Sequence, residues 1–263
     1  ALGILLAPAT YLLARALWPA RWQAALASLL AACSVWTLSL SRVAFRAGAL
    51  PLCAALMLAL LLRGCEKRRL GAMAVAGALC GLCLYTYLAA RFAPLAVGLW
   101  ALYLLIRQRR QFWWRGWLLF GAAALAAAAP LLVYFGQHWQ ATLGRAAQVS
   151  VWNPAIGGGQ PWLTVAKQVL RTAGGLIWRG DFIPRHNVPL RPVFDPAMAA
   201  AFLLGLWLAL RRAKDTPAWA LCLIWLGVML LPTVLAEGAP HFVRASGVLP
   251  IVFLFPVAGI EAL

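Results

Sequence analysis

Long apolar runs, separated by short basic clusters, make up most of this chain. A helix that crosses a bilayer needs about 20 mostly apolar residues. Stretches of that kind lie near 1–17, 22–38, 47–62, 70–88, 92–106, 116–136, 197–210, 217–235 and 247–263. They predict about nine transmembrane helices. The pattern changes over 137–196. There "PWLTVAKQVLRTAGGLIW" (161–178) repeats Trp162, Val165, Val169, Ala173 and Leu176 at helical spacing, with Lys167 and Arg171 on the other side. That is the pattern of a helix lying in the membrane interface, or of one packed on a neighbouring soluble domain. The next stretch, "GDFIPRHNVPLRPVFDP" (180–196), holds four prolines and no apolar period, which predicts an ordered loop or lid.

The predicted organisation is an all-α integral membrane protein. Residues 1–136 carry six transmembrane helices, 137–196 form one long extracytoplasmic loop with an interfacial helix, and 197–263 carry three more spans. Composition agrees. Of 263 residues 64% are hydrophobic and 11% charged, and mean hydropathy is +0.84. Soluble domains are roughly 45–50% apolar and about 25% charged. The formal net charge of +17 would suggest nucleic acid in a soluble protein. Here the basic residues cluster between apolar runs, so membrane topology explains them and no nucleic-acid partner is expected.

Four clusters set the orientation: Arg15 with Arg21, "RGCEKRR" (63–69), "RQRRQFWWR" (107–115) and "RRAKD" (211–215). Nine alternating spans place all four on one side, which the excess of cytoplasmic Lys and Arg in membrane proteins makes the inner one. The chain is therefore expected to be multi-pass in the plasma (inner) membrane, bathed by membrane lipids. Six cysteines lie in or at the ends of apolar runs, and Cys80 and Cys83 form a CxxC without a second pair. Small residues packing between helices explain them better than zinc or redox chemistry. Both chain ends fall in or near apolar runs, so the chain is expected to be an internal piece of a longer membrane protein.

The opposite face pools Arg42, Arg46, Arg91, Arg145, Arg179, Arg185, Arg191, Arg244, His138, His186, His241, Asp181, Asp195 and Glu237. Positive charge dominates. The arginine fork binds phosphate oxygens in bidentate fashion and is always charged. A phosphate on a lipid carrier would sit at that depth, and arginines that merely reach lipid headgroups are the plainer alternative. If a helix begins near Pro240, His241 and Arg244 share one face of its first turns. Glu237 could be a base or merely solvated, and is expected first to pair with Arg244. Tyr85, Tyr87 and the tryptophans fit an aromatic belt. No cofactor is expected. Asp181 or His186 could take a divalent metal, although no ligand spacing supports it.

"SRVAFRAGALPL", "GALCGLCLYTYLAARFAPL", "GRAAQVSVWN", "GDFIPRHNVPLRPVFDP" and "EGAPHFVRASGVLP" occur in this order. Over most of 36–255 the chain resembles the middle and C-terminal part of bacterial C-type glycosyltransferases, a group similar to the protein O-mannosyltransferases and to the lipid A aminoarabinose transferase. The resemblance implies a multi-helix membrane enzyme that takes a sugar from a polyprenyl-phosphate carrier and passes it to a lipid, glycan or protein acceptor on the outer face. It implies a catalytic carboxylate in the first outer loop of such enzymes. The corresponding stretch here, "SLSRVAFRAG", has no acidic residue. The base is thus expected upstream of Ala1, and the fragment alone is expected to be inactive. Arg244 and Arg91, then Arg42 and Arg46, are the expected ligands of the carrier phosphate, with His241 orienting phosphate or sugar. Asp181, His186 and Asn187 are further candidates near the sugar or acceptor. Two rivals stand beside this reading: a lipid-linked oligosaccharide polymerase or ligase, and a multi-span transporter. The transporter would place charge at mid-membrane.

Overall fold

The computed structural model describes residues 2–43 and 45–263, with side chains at all of these except 141–143, 145 and 146. The described residues form helices joined by turns and loops, with no strand among them and a single β-bridge between Ser150 and Ala236. The first group of helices is α1 (Leu2–Ala14), α2 (Arg21–Cys33), α3 (Val35–Arg42), α4 (Ala49–Lys67), α5 (Leu70–Cys83), α6 (Ala93–Arg107) and α7 (Trp114–Gln137). Three follow in the long loop: α8 (Trp139–Val149), α9 (Pro154–Gly157) and α10 (Pro161–Ile177). The last group is α11 (Pro196–Arg212), α12 (Pro217–Val234), α13 (Leu249–Val252) and α14 (Leu254–Glu261).

All nine apolar stretches are helical. Among the described residues four helices, two of them counted with the 3₁₀ turn that leads in, are long and apolar enough to cross a membrane: Arg46–Lys67, Leu88–Arg107, Trp114–Gln137 and Pro217–Val234. Such helices suit lipid because every backbone polar group inside them is satisfied within the segment. α2 and α3 make a fifth if they are taken together as one span bent by 53°. Leu2–Ala14, Leu70–Cys83 and Ser246–Glu261 are shorter apolar helices.

Two stretches that read as single helices are interrupted. Ser34 takes an extended backbone (φ −64°, ψ 130°) between α2 and α3. The last stretch breaks at Phe253, between α13 and α14. Pro256 accounts for that break, because it has no N–H to offer the Val252 carbonyl four residues back. This last segment is apolar all round, and it is the centre of the bundle. Val248, Leu249 and the whole run from Ile251 to Ala258 are buried, enclosed by α1, α2, α4, α11 and α12. A helix without a polar face needs such an enclosure.

Small residues let the helices approach. A Cβ at Gly77 would collide with the Phe120 carbonyl and one at Gly81 with the Ala124 carbonyl, so α5 and α7 touch backbone to backbone. Gly205 and Gly259 do the same for α11 and α14, against Phe255 and Ala201. Glycines four residues apart, as at 77 and 81, are the usual means of close helix contact where apolar surface gains little by leaving lipid. Tyr85 meets α7 at a different point. Its hydroxyl donates to the Ala127 carbonyl (3.1 Å) and accepts from the Leu131 amide (3.2 Å), next to Pro130 where the helix ladder is interrupted.

The basic clusters gather at one end of the bundle and are tied to one another. Arg63 donates to the Leu12 carbonyl, Arg68 to the Arg110 carbonyl and Gln108 to the Lys214 carbonyl. Glu261, at the end of α14, accepts from Trp18 Nε1 (3.0 Å) and Gln23 Nε2 (2.6 Å) and lies 3.8 Å from Arg212. The opposite end is closed by α8–α10, the 180–196 loop and the 236–247 turn.

Within 137–196, α10 is helical over the stretch whose spacing predicts a helix, and α8 is an addition to it. Of the predicted apolar stripe of α10 only Leu176 is buried. Gln168, Thr172, Gly175 and Leu176 face inward, whereas Trp162, Leu163, Val169 and Leu170 stay exposed. Gln168, its amide nitrogen turned to the end of α12, donates to the carbonyls of Thr233, Val234 and Ala236. The Thr233 and Val234 carbonyls close α12 and have no partner inside it, so a buried amide there satisfies them. The apolar stripe is left to face the surroundings, as in a helix at a bilayer surface.

Candidate functional site

Three arginines from separate elements meet at the end opposite the basic clusters. Arg46 opens the 3₁₀ turn Arg46–Gly48 that leads into α4. Arg91 lies in the 3₁₀ turn Leu88–Phe92 that leads into α6. Arg244 lies in the turn that precedes Ser246–Val248 and α13. Each is followed within six residues by a proline in the first turn of the helix: Pro51, Pro94 and Pro250. Proline suits that position, where its missing N–H has no helical partner to lose.

All three line one cavity of about 410 Å³, together with Tyr85, Thr86 and Tyr87. A second cavity of about 240 Å³ shares Tyr87, Leu88, Arg91, Val149 and Arg244 with it and continues along Phe92, Trp152, Pro232 and Leu235. The pair therefore offers a cationic chamber and an apolar one with a common wall. That wall is braced by the chain itself, since the Val151 amide donates to the Leu235 carbonyl (3.1 Å) and the Glu237 amide to the Val149 carbonyl (2.9 Å). Arg91 lies over the Phe135 ring at 4.6 Å. Arg244 donates through Nη1 to the Glu237 carbonyl, and its Nη2 stands 3.9 Å from the Glu237 carboxylate. Glu237 is exposed, so this ion pair is screened and contributes about 0–1 kcal/mol.

Arg42, the last residue of α3, is exposed and lines neither cavity. The side chain of Arg145 lies outside the described residues. Asp195 caps α11 by accepting from the Met198 amide (2.9 Å), and His138 stacks on Tyr134. No helix begins at Pro240. Residues 242–245 form a turn, and α13 starts at Leu249, so His241 and Arg244 do not share a helical face. The His241 amide donates to Thr233 Oγ1 (3.0 Å) and the Arg244 amide to His241 Nδ1 (3.3 Å), which turns the imidazole away from the arginine cavity.

His241 points instead at a second group, made with Asp181 and His186 of the 180–196 loop. Asp181 is fully buried. Its Oδ1 accepts from the Ile183 amide (2.9 Å), and its Oδ2 accepts from the Phe242 amide (2.8 Å) and pairs with His186 Nδ1 (3.0 Å). The two imidazoles lie 4.6 Å apart, and Phe45 meets His186 edge-on. Burial holds the His241 pKa down at about 4, helped by Arg244 and His186, so its ring is neutral near pH 7. Asn187 is also buried and braces the same loop by donating to the Arg191 carbonyl (2.6 Å). Asp181, His186 and His241 each offer a ligand atom within 4.8 Å of the others.

The fold and these two sites define an all-helical protein with helices long and apolar enough to cross a membrane, a three-arginine cavity and a buried Asp–His–His group. No protein-family model, no curated protein and no solved structure matches the chain.

Proposed function

We propose that this protein is a membrane glycosyltransferase that takes a sugar from a polyprenyl-phosphate carrier and transfers it to a lipid, glycan or protein acceptor on the extracytoplasmic face of the plasma membrane. In this reading all nine apolar segments cross the bilayer, with the basic end cytoplasmic. The observation that carries it is the convergence of Arg46, Arg91 and Arg244 on one cavity that shares a wall with an apolar cavity. A polyprenyl phosphate has the same two parts, an anionic head and an apolar chain. Arginine forks hold phosphate oxygens and stay charged at any working pH. They also stabilise the carrier phosphate as it leaves with negative charge. Charge gathered at the two ends of the bundle, rather than at mid-depth, favours this reading over a transporter.

The test is binding of a polyprenyl phosphate to the full chain in lipid nanodiscs, with the uncharged polyprenol and with phosphatidylglycerol as controls. Hydrogen bonds to charged groups contribute about 1.5–3 kcal/mol. The Arg244→Ala variant is therefore expected to bind the phosphate at least about tenfold more weakly. Equal affinity for polyprenol and polyprenyl phosphate would overturn the reading, as would unchanged binding when Arg46, Arg91 and Arg244 are all replaced by alanine.

A further inference from the structure

We propose that Asp181, His186 and His241 form a site for a divalent cation of the zinc type, which staples the 180–196 loop to the 236–247 turn. The inference stands apart from the carrier reading and uses a different set of side chains. None of the three lines the arginine cavity.

The geometry suits a shared ion. Zinc takes imidazole nitrogen and carboxylate oxygen at about 2.0–2.2 Å in tetrahedral array, which sets neighbouring ligand atoms roughly 3.3–3.5 Å apart. The His186 Nδ1 to Asp181 Oδ2 separation is 3.0 Å, and all three candidate ligand atoms lie within 4.8 Å of one another. Small side-chain shifts bring three such atoms around one ion. Two imidazoles and one carboxylate are a donor set for zinc and its neighbours in the transition series. Calcium and magnesium prefer all-oxygen shells. Three protein ligands leave a fourth position for water or another small ligand.

The electrostatics point the same way. Asp181 is fully buried, and the side chain it pairs with is the His186 imidazole. A buried carboxylate needs compensating charge. A dication between the loops supplies it. The surroundings are dry: Phe45 packs against His186, and Trp36 lies 4.7 Å from Phe242, the residue after His241. Supporting hydrogen bonds already orient the group, since the Phe242 and Ile183 amides hold the carboxylate. Such second contacts fix metal ligands in place. The outcome is a cross-link between two connections far apart in the chain, three residues before Arg244.

The experiment uses the full chain in detergent, stripped with a chelator and dialysed. Zn²⁺ is titrated calorimetrically, and Co²⁺ is added as a spectroscopic probe. One ion per chain is expected, with the intense visible bands of four-coordinate Co²⁺ and without thiolate-to-cobalt charge transfer. A rise in melting temperature with added Zn²⁺ is expected as well, because an ion that binds only the folded state stabilises it. The His186→Ala/His241→Ala variant should lose both signals while keeping its helical circular dichroism. Weak six-coordinate Co²⁺ bands alone, or charge-transfer bands that place the ion on cysteines, would overturn the site on the wild-type protein without recourse to a variant. Binding retained by the folded double variant would do so too.

Discussion

Arginines crowd both ends of this bundle, and the two populations sit on opposite poles of their helices. At the basic end Lys67, Arg107, Arg211 and Arg212 occupy the last turns of α4, α6 and α11. A helix C-terminus carries partial negative charge, so cations there are favoured by about 0.3–1 kcal/mol each. Arg63 and Arg68 also spend their donors on backbone carbonyls of neighbouring segments. At the other end Arg46 and Arg91 precede α4 and α6, where the same dipole disfavours them. The basic end is a solved electrostatic problem that needs no ligand. The cavity end holds three cations around about 410 Å³ of space, an arrangement that an anion would relieve. The same residue type thus has a structural task at one end and a binding task in our reading of the other.

Substitutions can break this contrast. The largest effect is expected from Arg46→Ala/Arg91→Ala/Arg244→Ala. Losing three charge-assisted contacts should cost at least about 3 kcal/mol of polyprenyl-phosphate affinity, or more than about 100-fold, with melting temperature nearly unchanged. The opposite signature is expected from Glu261→Ala at the basic end. It strips the acceptor from Trp18 and from buried Gln23, each lost partner costing about 1–3 kcal/mol. Thermal melting should fall while carrier binding holds. Arg244→Lys sharpens the comparison by keeping charge and removing the fork. Its binding should weaken by about 1 kcal/mol, or roughly fivefold, in the same nanodisc assay. The smallest effect is expected from Arg212→Ala. Its pair with Glu261 is 3.8 Å long and partly exposed, so melting should shift by about 0–1 kcal/mol in stability and binding should not change.

Much of the scaffold was legible in the residues. Apolar runs of bilayer length leave a chain few options other than helix, and every such run is helical here. The interruptions were less visible. Pro256 marks the break at Phe253 in retrospect, whereas nothing in the pattern around Ser34 announces the bend between α2 and α3. α8 escaped notice because "HWQATLGRAAQV" (138–149) has no sustained apolar period. For α10 the period was plain, but the inward face follows Gln168 and its partners at the end of α12. An arginine followed within six residues by a proline sets Arg46, Arg91 and Arg244 apart from Arg42 and Arg145, but Arg179, Arg185 and Arg191 share the pattern, so nothing local singled out the three.

The sequence by itself determined the class of solvent, the helices and the sorting of basic clusters to one end. Each follows from local composition, since burying a backbone in lipid and holding charge out of it are decided within one segment. Only the tertiary structure decided which arginines share a cavity, that Arg42 stands outside it, and that His241 turns to Asp181 and His186. Those pairings join residues up to about 200 positions apart, through turns whose direction depends on what packs beneath them.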